Sequence, residues 1–329
     1  MNRSAARIYR GTGRNLRFLA RRLWAGDVVA VPTETVYGLA ANALDATACA
    51  RIFRAKGRPT TDPLIVHVHA LAQLAQICAP NAAALTLARR FWPGPLTLVL
   101  PKMSAVPDIV TAGKKSVAVR MPSHPLFRRL LALAKMPLAA PSANPFGGVS
   151  PTTAAHVRDG LGKHIRHILD GGPARIGLES TIVDLRNPLR PRLLRPGAIT
   201  QDELERALKC KVPLLNRTRS HGHNSRAQVA PGLLARHYSP STPLVLHDKI
   251  VDPEAASEAF VFLHRPRGRR APNVFWLDPR GELPGVARRL FATLRKVDAM
   301  QFTRIHVELA PGDGLADAIN DRLRRAAAR

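Results

Sequence analysis

The chain has 329 residues, 46% of them hydrophobic and only 5% aromatic; that is ample for globular folding and too long for the usual single core. Fifty Lys and Arg against 23 Asp and Glu give a formal net charge of +27, which suits polyanions such as RNA, nucleotides or acidic membrane surfaces, although an Arg-rich proteome would shift every protein the same way. Cys49, Cys78 and Cys210 are too scattered for a disulfide framework or a zinc finger, and no apolar run approaches the ~20 residues that span a bilayer, so the expected setting is a reducing cytoplasm.

In chain order, Arg3, Arg7, Arg10, Arg14, Arg17 and Arg21 recur every three or four residues, a helix-like stripe that could meet tRNA but is broken by Gly11 and Gly13. The segment has the composition of a transit peptide or a solvated tail, without a signal peptide's apolar middle. Leu16, Leu19, Ala20 and Leu23 then share one face of a first helix, with Gly26 as its stop. "DVVAVPT" reads as a strand, "DATACARIFRAK" as a helix, "PLIVHVH" as a strand and "NAAALTLARRFW" as a helix. "PLTLVLP" and "SVAVRMP" read as strands, "HPLFRRLLALAK" as a helix and "MPLAAPSAN" as a strand entering a loop. "TTAAHVRDGLG" is helical, "HILDGG" and "STIVDLR" are strands, and "TQDELERALK" closes as a helix. Residues 209–240 lose periodicity and read as a linker. From "TPLVLHD" onward the alternation resumes. The domain expectation is residues 1–208 as a mixed α/β sheet with helices, and 241–329 as a smaller α/β domain.

Familiar chemistry is missing. There is no GxxxxGK[ST] loop ("GKKS" at 113–116 is a near miss), no GxGxxG after a strand, no HExxH and no CxxC. "HVH" at 67–69 puts two imidazoles on one strand face without a third ligand. The remaining signal is polar residues at strand ends. Period two puts Ser116, Ala118 and Arg120 on one face, opposite Val117 and Val119. It likewise puts Ser180, Ile182 and Asp184 opposite Thr181, Val183 and Leu185, His67 with Ile65, and Thr33 with Thr35. Each alone is more often structural; four together suggest a convergent cleft. Two loops add to them. "RAKGRPTTDP" offers Lys56 and Arg58 around Gly57, which would permit close backbone approach. "PSANPFGGVSPTT" offers Ser142, Asn144 and Ser150 ahead of a helix that Ser150 or Thr152 would cap.

In order and at the right spacing, "PTETVYGLA", "KGRP…DPLIVHV", "AVRMP", "PSAN", "SPTT", "GLESTIVDL" and "LLRPGAIT" resemble the YrdC family over residues 14 to 208. The trailing "APGLLARHYSP" and the second α/β domain resemble its long, two-domain branch of threonylcarbamoyl-AMP synthases. The resemblance implies a YrdC-like twisted sheet, a Rossmann-like second domain and a linker that acts as a lid. It also implies a nucleotidyltransferase reaction: L-threonine, bicarbonate and ATP give threonylcarbamoyl-AMP and pyrophosphate, with Mg²⁺ accompanying ATP. A separate downstream complex then transfers the threonylcarbamoyl group to the adenosine beside a tRNA anticodon.

By motif, the threonine site falls on Thr35, His67, Arg120, the backbone of Ala140, and Ser180. The ATP site falls on Arg58, Asp62, Ser116, Ser142, Asn144, Ser150 and Arg195, with Lys56 and Arg58 as catalytic cations. Two departures stand out. Asp62 replaces a common asparagine and is offered as a Mg²⁺ ligand. Leu234 and Ala235 stand where some relatives have lysine and tyrosine. No protein metal site is assigned. Ser142 and Ser180 lack a paired base, which argues against a hydrolase. A carbamoyltransferase of the hydrogenase-maturation type would need Cys-rich zinc fingers. The alternative is a double-stranded RNA or tRNA-binding module without catalysis; weak tRNA binding is also compatible with the enzyme.

Overall fold

The computed structural model describes residues 6–215, 227–232, 236–251, 255–267 and 271–328. In chain order its elements are β1 (Arg7–Tyr9), α1 (Gly13–Trp24), β2 (Val29–Val31), β3 (Gly38–Asn42), α2 (Ala46–Lys56) and β4 (Ile65–His67). A short 3₁₀ turn (Leu71–Gln76) leads to α3 (Ala82–Phe91), β5 (Leu96–Pro101), α4 (Asp108–Thr111), β6 (Ser116–Arg120), α5 (Pro125–Ala134) and β7 (Leu138–Ala139). Then come α6 (Ala154–Leu161), β8 (His167–Leu169), β9 (Thr181–Asp184), β10 (Arg192–Arg195) and α7 (Gln201–Leu208). The C-terminal part holds β11 (Leu244–His247), β12 (Ala259–His264), β13 (Val274–Asp278), α8 (Leu283–Asp298), β14 (Ile305–Glu308) and α9 (Leu315–Ala327).

Two sheets result. The first has ten strands in the order β1-β8-β2-β3-β7-β4-β6-β5-β9-β10 and mixes parallel with antiparallel pairs. The second has four, β11-β14-β12-β13, all parallel. The expected mixed sheet and separate small α/β unit are both present. Among the described residues no helix is long and apolar enough to cross a membrane.

The helices form where capping and stripes coincide. Asp45 caps α2 by accepting from the Thr47 and Ala48 amides, and Gly57 ends it in the left-handed region at φ 63°. A Cβ on Gly57 would meet nothing within 4 Å, so this glycine serves handedness rather than the close approach expected of it. Thr153, not Ser150 or Thr152, caps α6, which leaves the Ser150 hydroxyl free for another partner. Sequence reading missed β1, β3 and β10. The Arg-rich start is not a helical stripe: Arg7–Tyr9 pairs in parallel with β8, and Tyr9 is buried against Leu16, Leu19 and Leu169. In β3, "GLAAN" lacks the β-branched residues that mark a strand, and only its pairing with β2 reveals it.

Period two fixes the two faces of the first sheet. Val66, Leu98, Val117, Val119 and Val183 enter the main core. Ile65, Val99, Ala118, Ile182 and Leu194 form a second apolar layer on the opposite face. The linker covers that layer with Val229 and Ala230. Linker residues that lack internal periodicity are therefore ordered by a surface the sheet provides.

Candidate active site

Register builds the centre of the site. His67 pairs with Arg120 across β4 and β6, and Arg120 pairs with Thr97 across β6 and β5, so three polar residues make one row on the linker side of the sheet. Ser180, one residue before β9, joins the row through its hydroxyl, 2.7 Å from that of Thr97. The β2–β3 connection folds over the end of this row. Its Thr33 hydroxyl accepts from the Thr35 and Val36 amides at 3.1 Å and donates to the Val36 carbonyl at 2.6 Å, a local turn that points Thr35 inward. The cleft so formed is lined by Thr35, Arg58, His67, Arg120, Ala140, Ser142, Ser180 and Arg195, with Thr33, Glu179, Pro231, Gly232, His237 and Tyr238 beside them.

Arg120 is tied down. Its Nη2 donates to Glu34 Oε1 at 2.6 Å, its Nη1 to Thr35 Oγ1 at 3.0 Å and its Nε to the Gly94 carbonyl at 3.2 Å. Two of its five N–H donors remain for a ligand. Burial raises the Glu34 carboxyl, but the charge and hydrogen bond of Arg120, with backbone amides, outweigh it and hold the carboxyl below its usual range. Burial, then the nearby Arg120 charge, push His67 down to about 3, so its imidazole is neutral. Its Nδ1 is buried without a partner. The Ala140 N–H is committed to the Ile65 carbonyl, so its carbonyl is the group it can offer.

Arg195 donates to the Ser180 carbonyl (3.1 Å), the Ser180 hydroxyl (3.2 Å) and the Pro231 carbonyl (3.3 Å), all neutral acceptors. Arg58 is 7% exposed, folded back onto its own loop rather than projecting into solvent. It binds the Asp62 and Pro63 carbonyls at 2.9 and 2.7 Å and the Asp62 carboxylate at 2.9 Å. Burial raises the Asp62 carboxyl, with Arg58, Lys56 and Arg195 acting the other way. The carboxylate offered as a Mg²⁺ ligand is thus already held by an arginine.

Four further residues stand behind the cleft wall. Lys56 does not line the cavity: its Nζ donates to the Ser142 and Asn144 carbonyls at 2.6 and 2.5 Å, clamping the 142–148 loop to the end of α2. Burial, then Arg58, lower its basicity well below the usual lysine range. Asn144 stays within that loop, donating to the Pro145 and Gly148 carbonyls. Ser150 donates to Glu179 Oε1 at 2.5 Å. Ser116 is buried with an unpartnered hydroxyl.

The linker closes the top. The Gln228 amide donates to the Thr61 carbonyl, and the Ser239 amide to the Gly147 carbonyl. Tyr238 is 1% exposed and stacks on Phe291, so it fills an inter-sheet core rather than an open lid surface. Leu234 and Ala235, noted as departures, lie outside the described residues. The free cavity beneath the linker is small, about 40 Å³. Sequence reading missed Thr97 and Glu179 as site residues, and saw Glu34 only as part of the polar "TETVY" cluster, with no role of its own. The acids inside "TET" and "GLES" were the available signal, but which basic group each would face depends on the fold.

Comparison with known proteins agrees with this geometry. A profile for Sua5, YciO and YrdC proteins, described as "Telomere recombination", matches residues 21–197. A second, described as "Threonylcarbamoyl-AMP synthase, C-terminal domain", matches residues 199–328. The chain is 41% identical to the threonylcarbamoyl-AMP synthase of Pyrococcus abyssi, covering 94% of this chain and 93% of that protein. It is 39% identical to that of Bacillus subtilis, over 94% and 91% of the two chains. The crystal structure of P. abyssi Sua5 complexed with L-threonine superimposes with a TM-score of 0.88 at 37% identity, covering 98% of both chains. Because the two profiles follow one another along the chain and the relatives match nearly end to end, the chain belongs to the Sua5/YciO/YrdC family, in its two-domain form.

Proposed function

We propose that this chain is a threonylcarbamoyl-AMP synthase, a nucleotidyltransferase that joins L-threonine, bicarbonate and ATP and releases pyrophosphate. The observation that carries this reading is the polar cleft itself. Among the described residues, seven buried side-chain N and O atoms with neither a hydrogen bond nor an ion pair belong to Glu34, Asp62, His67, Ser116, Asn144, His237 and Tyr238, in or beside it. Buried polar atoms rarely lack partners, so their concentration marks where a polar ligand belongs.

Threonine fits the Thr35–His67–Arg120 end. The two remaining Arg120 N–H groups suit its carboxylate, the Ala140 carbonyl suits its ammonium, and neutral His67 with the Ser180 hydroxyl suits its side chain and amine. ATP takes the other end, with Arg58, Arg195, Ser142 and Ser150 toward the phosphates and Asp62, Ser116 and Asn144 supporting the loops around them. Arg195 has only neutral partners, so its charge is available to a polyphosphate. Mg²⁺ enters as part of the ATP substrate, on the phosphate oxygens that such a hard cation prefers.

In the reaction, the neutral threonine amine adds to bicarbonate with loss of water, or to CO₂ with loss of a proton, giving N-carboxythreonine. That carboxylate attacks the α-phosphorus, and pyrophosphate leaves. Both partners are anions, so neutralisation and positioning carry the catalysis. The linker excludes water from the mixed anhydride. A downstream complex consumes the product on tRNA in the cytoplasm. Purified chain with ATP, threonine and bicarbonate is expected to yield threonylcarbamoyl-AMP by mass spectrometry, with equimolar pyrophosphate. Binding of tRNA without pyrophosphate release would replace this reading with the RNA-binding one.

A further inference from the structure

Arg322 lies in α9, the last helix of the chain, yet it is the largest fully buried side chain of the molecule, 0% exposed. A guanidinium is rarely buried to that extent without fixed partners. Its partners lie on both sides of the inter-sheet boundary. Nε donates to Glu179 Oε2 at 2.9 Å and Nη2 to the Glu179 carbonyl at 3.4 Å. Nη1 donates to Asp321 at 2.7 Å, and the guanidinium carbon sits 5.5 Å from the Tyr238 ring centroid. Asp321 also binds Arg325 at 3.0 Å, so it does not depend on Arg322 alone. Glu179 lines the cleft next to Ser180, and its other oxygen accepts from Ser150. The backbone of the same helix meets the linker: the His237 amide donates to the Arg325 carbonyl.

Glu179 presents a problem for a site that takes a triphosphate. The residue lines the cavity that also holds Arg195 and Ser142, and its carboxylate occupies the hydroxyl of Ser150. An uncompensated carboxylate there would repel phosphate through a medium that screens poorly. The other cleft carboxylate, Glu34, is matched by Arg120 from the same sheet. For Glu179 the matching charge comes from the far end of the chain.

We propose that Arg322 is a positioning residue of the nucleotide half of the cleft: it cancels the charge of Glu179 and holds that carboxylate to the wall, so that the charge of Arg195 is left for phosphate oxygens. This rests on the synthase reading. It gives the second sheet and its helices a task in the reaction, because a helix outside the first sheet supplies a charge the site requires.

The test is calorimetry of the full chain with ATP and, separately, with L-threonine. Arg322→Ala is expected to weaken ATP binding roughly tenfold or more while threonine affinity changes by less than about threefold. Glu179→Gln alone is expected to tighten ATP binding, and the double variant to return to within about threefold of the unmodified chain. If Arg322→Ala does not fold, Arg322→Gln/Glu179→Gln replaces the ion pair with an amide pair and carries the test, with ATP affinity again expected near that of the unmodified chain. Unchanged ATP affinity in Arg322→Ala, a parallel loss of ATP and threonine binding, or a double variant no better than the single would overturn the proposal. An unmodified chain that binds ATP but makes no threonylcarbamoyl-AMP removes the synthase reading alone; one that binds no ATP removes both.

Discussion

Arg120 is a structural ion and, in the proposed reaction, a substrate group, and the two roles separate experimentally. Its pairing with Glu34 at 2.6 Å is buried, so Arg120→Ala leaves a stranded carboxylate and is expected to cost about 3–5 kcal/mol of stability. Arg120→Ala/Glu34→Gln should recover most of that stability in thermal unfolding, yet threonine affinity should stay roughly tenfold or more below the unmodified chain in both. Recovery of threonine binding in the double variant would show that Arg120 acts only through Glu34. His67 gives a pH signature. Its folded value, about 3, lies below the ordinary 6.5, so folding favours the neutral ring. The contribution is fully present above pH 6.5 and is lost as pH falls from there toward 3. The stability difference between the unmodified chain and His67→Asn should therefore shrink by up to about 1.4 kcal/mol per pH unit in that window, read from denaturant unfolding. A difference that stays level would mean that His67 is solvated.

At the scale of elements, the loops matter more than the strands that carry them. Lys56 connects the end of α2 to the 142–148 loop through two carbonyls. Lys56→Met leaves both acceptors buried and is expected to cost about 1–3 kcal/mol, with faster amide exchange across 142–148 and weaker ATP binding. Unchanged exchange in that loop would return Lys56 to a direct catalytic role. β1 gives the opposite lesson. The sequence reads residues 2–13 as a solvated tail or as a basic stripe for tRNA, in either case dispensable for the fold, but β1 adds a strand beside β8 and Tyr9 hydrogen-bonds His167 at 3.2 Å. Deleting 2–13 should lower the melting temperature, by about 2–4 °C for each kcal/mol lost. An unchanged melting temperature with a flatter salt dependence of tRNA binding would support the tRNA-contacting stripe, and no change in either would support the solvated tail.

For the whole molecule, the two sheets are joined by more than a linker. Val36, Val149 and Leu178 belong to the same apolar cluster as Tyr238, Phe291 and Leu290. Arg295 donates to the Val149 and His156 carbonyls. Gly177, at φ 81°, passes so close to α8 that a Cβ there would lie 2.5 Å from the Ala287 carbonyl oxygen. Residues 1–208 alone would expose this surface and leave Glu179 unpaired. They are expected to be less stable than the full chain and to release threonylcarbamoyl-AMP faster, as measured by melting and product lifetime. The cavity of about 40 Å³ holds a few waters rather than a nucleotide, so in the proposed reaction its lining residues Pro231, Gly232 and His237 must shift for ATP to enter. Proteolysis between 215 and 230, a stretch whose residues 216–226 lie outside the described residues, should slow when ATP and threonine are both present. Equal cleavage with and without ligands would count against a lid.

The sequence by itself determined the helices of eight residues or more, most strands and the alternation of faces in several of them, because apolar periodicity and capping act over a few residues: Val117 and Val119 against Ala118 and Arg120 is an instance read correctly from spacing alone, whereas the four-residue α4 was not legible. Its ordered motifs also marked most of the residues that line the cleft. Short or alanine-rich strands such as β1 and β3 were not legible, since their stability comes from pairing with distant neighbours. Charge partners were not legible either. Glu34 meets Arg120 across 86 positions and Glu179 meets Arg322 across 143, and those separations are closed only by the register of the sheet and the docking of α9. Whether a buried charge is a substrate group, a clamp or a compensating ion is set by what the fold places within about 4 Å of it, where Coulomb energy and desolvation are both largest; that assignment belonged to the tertiary structure.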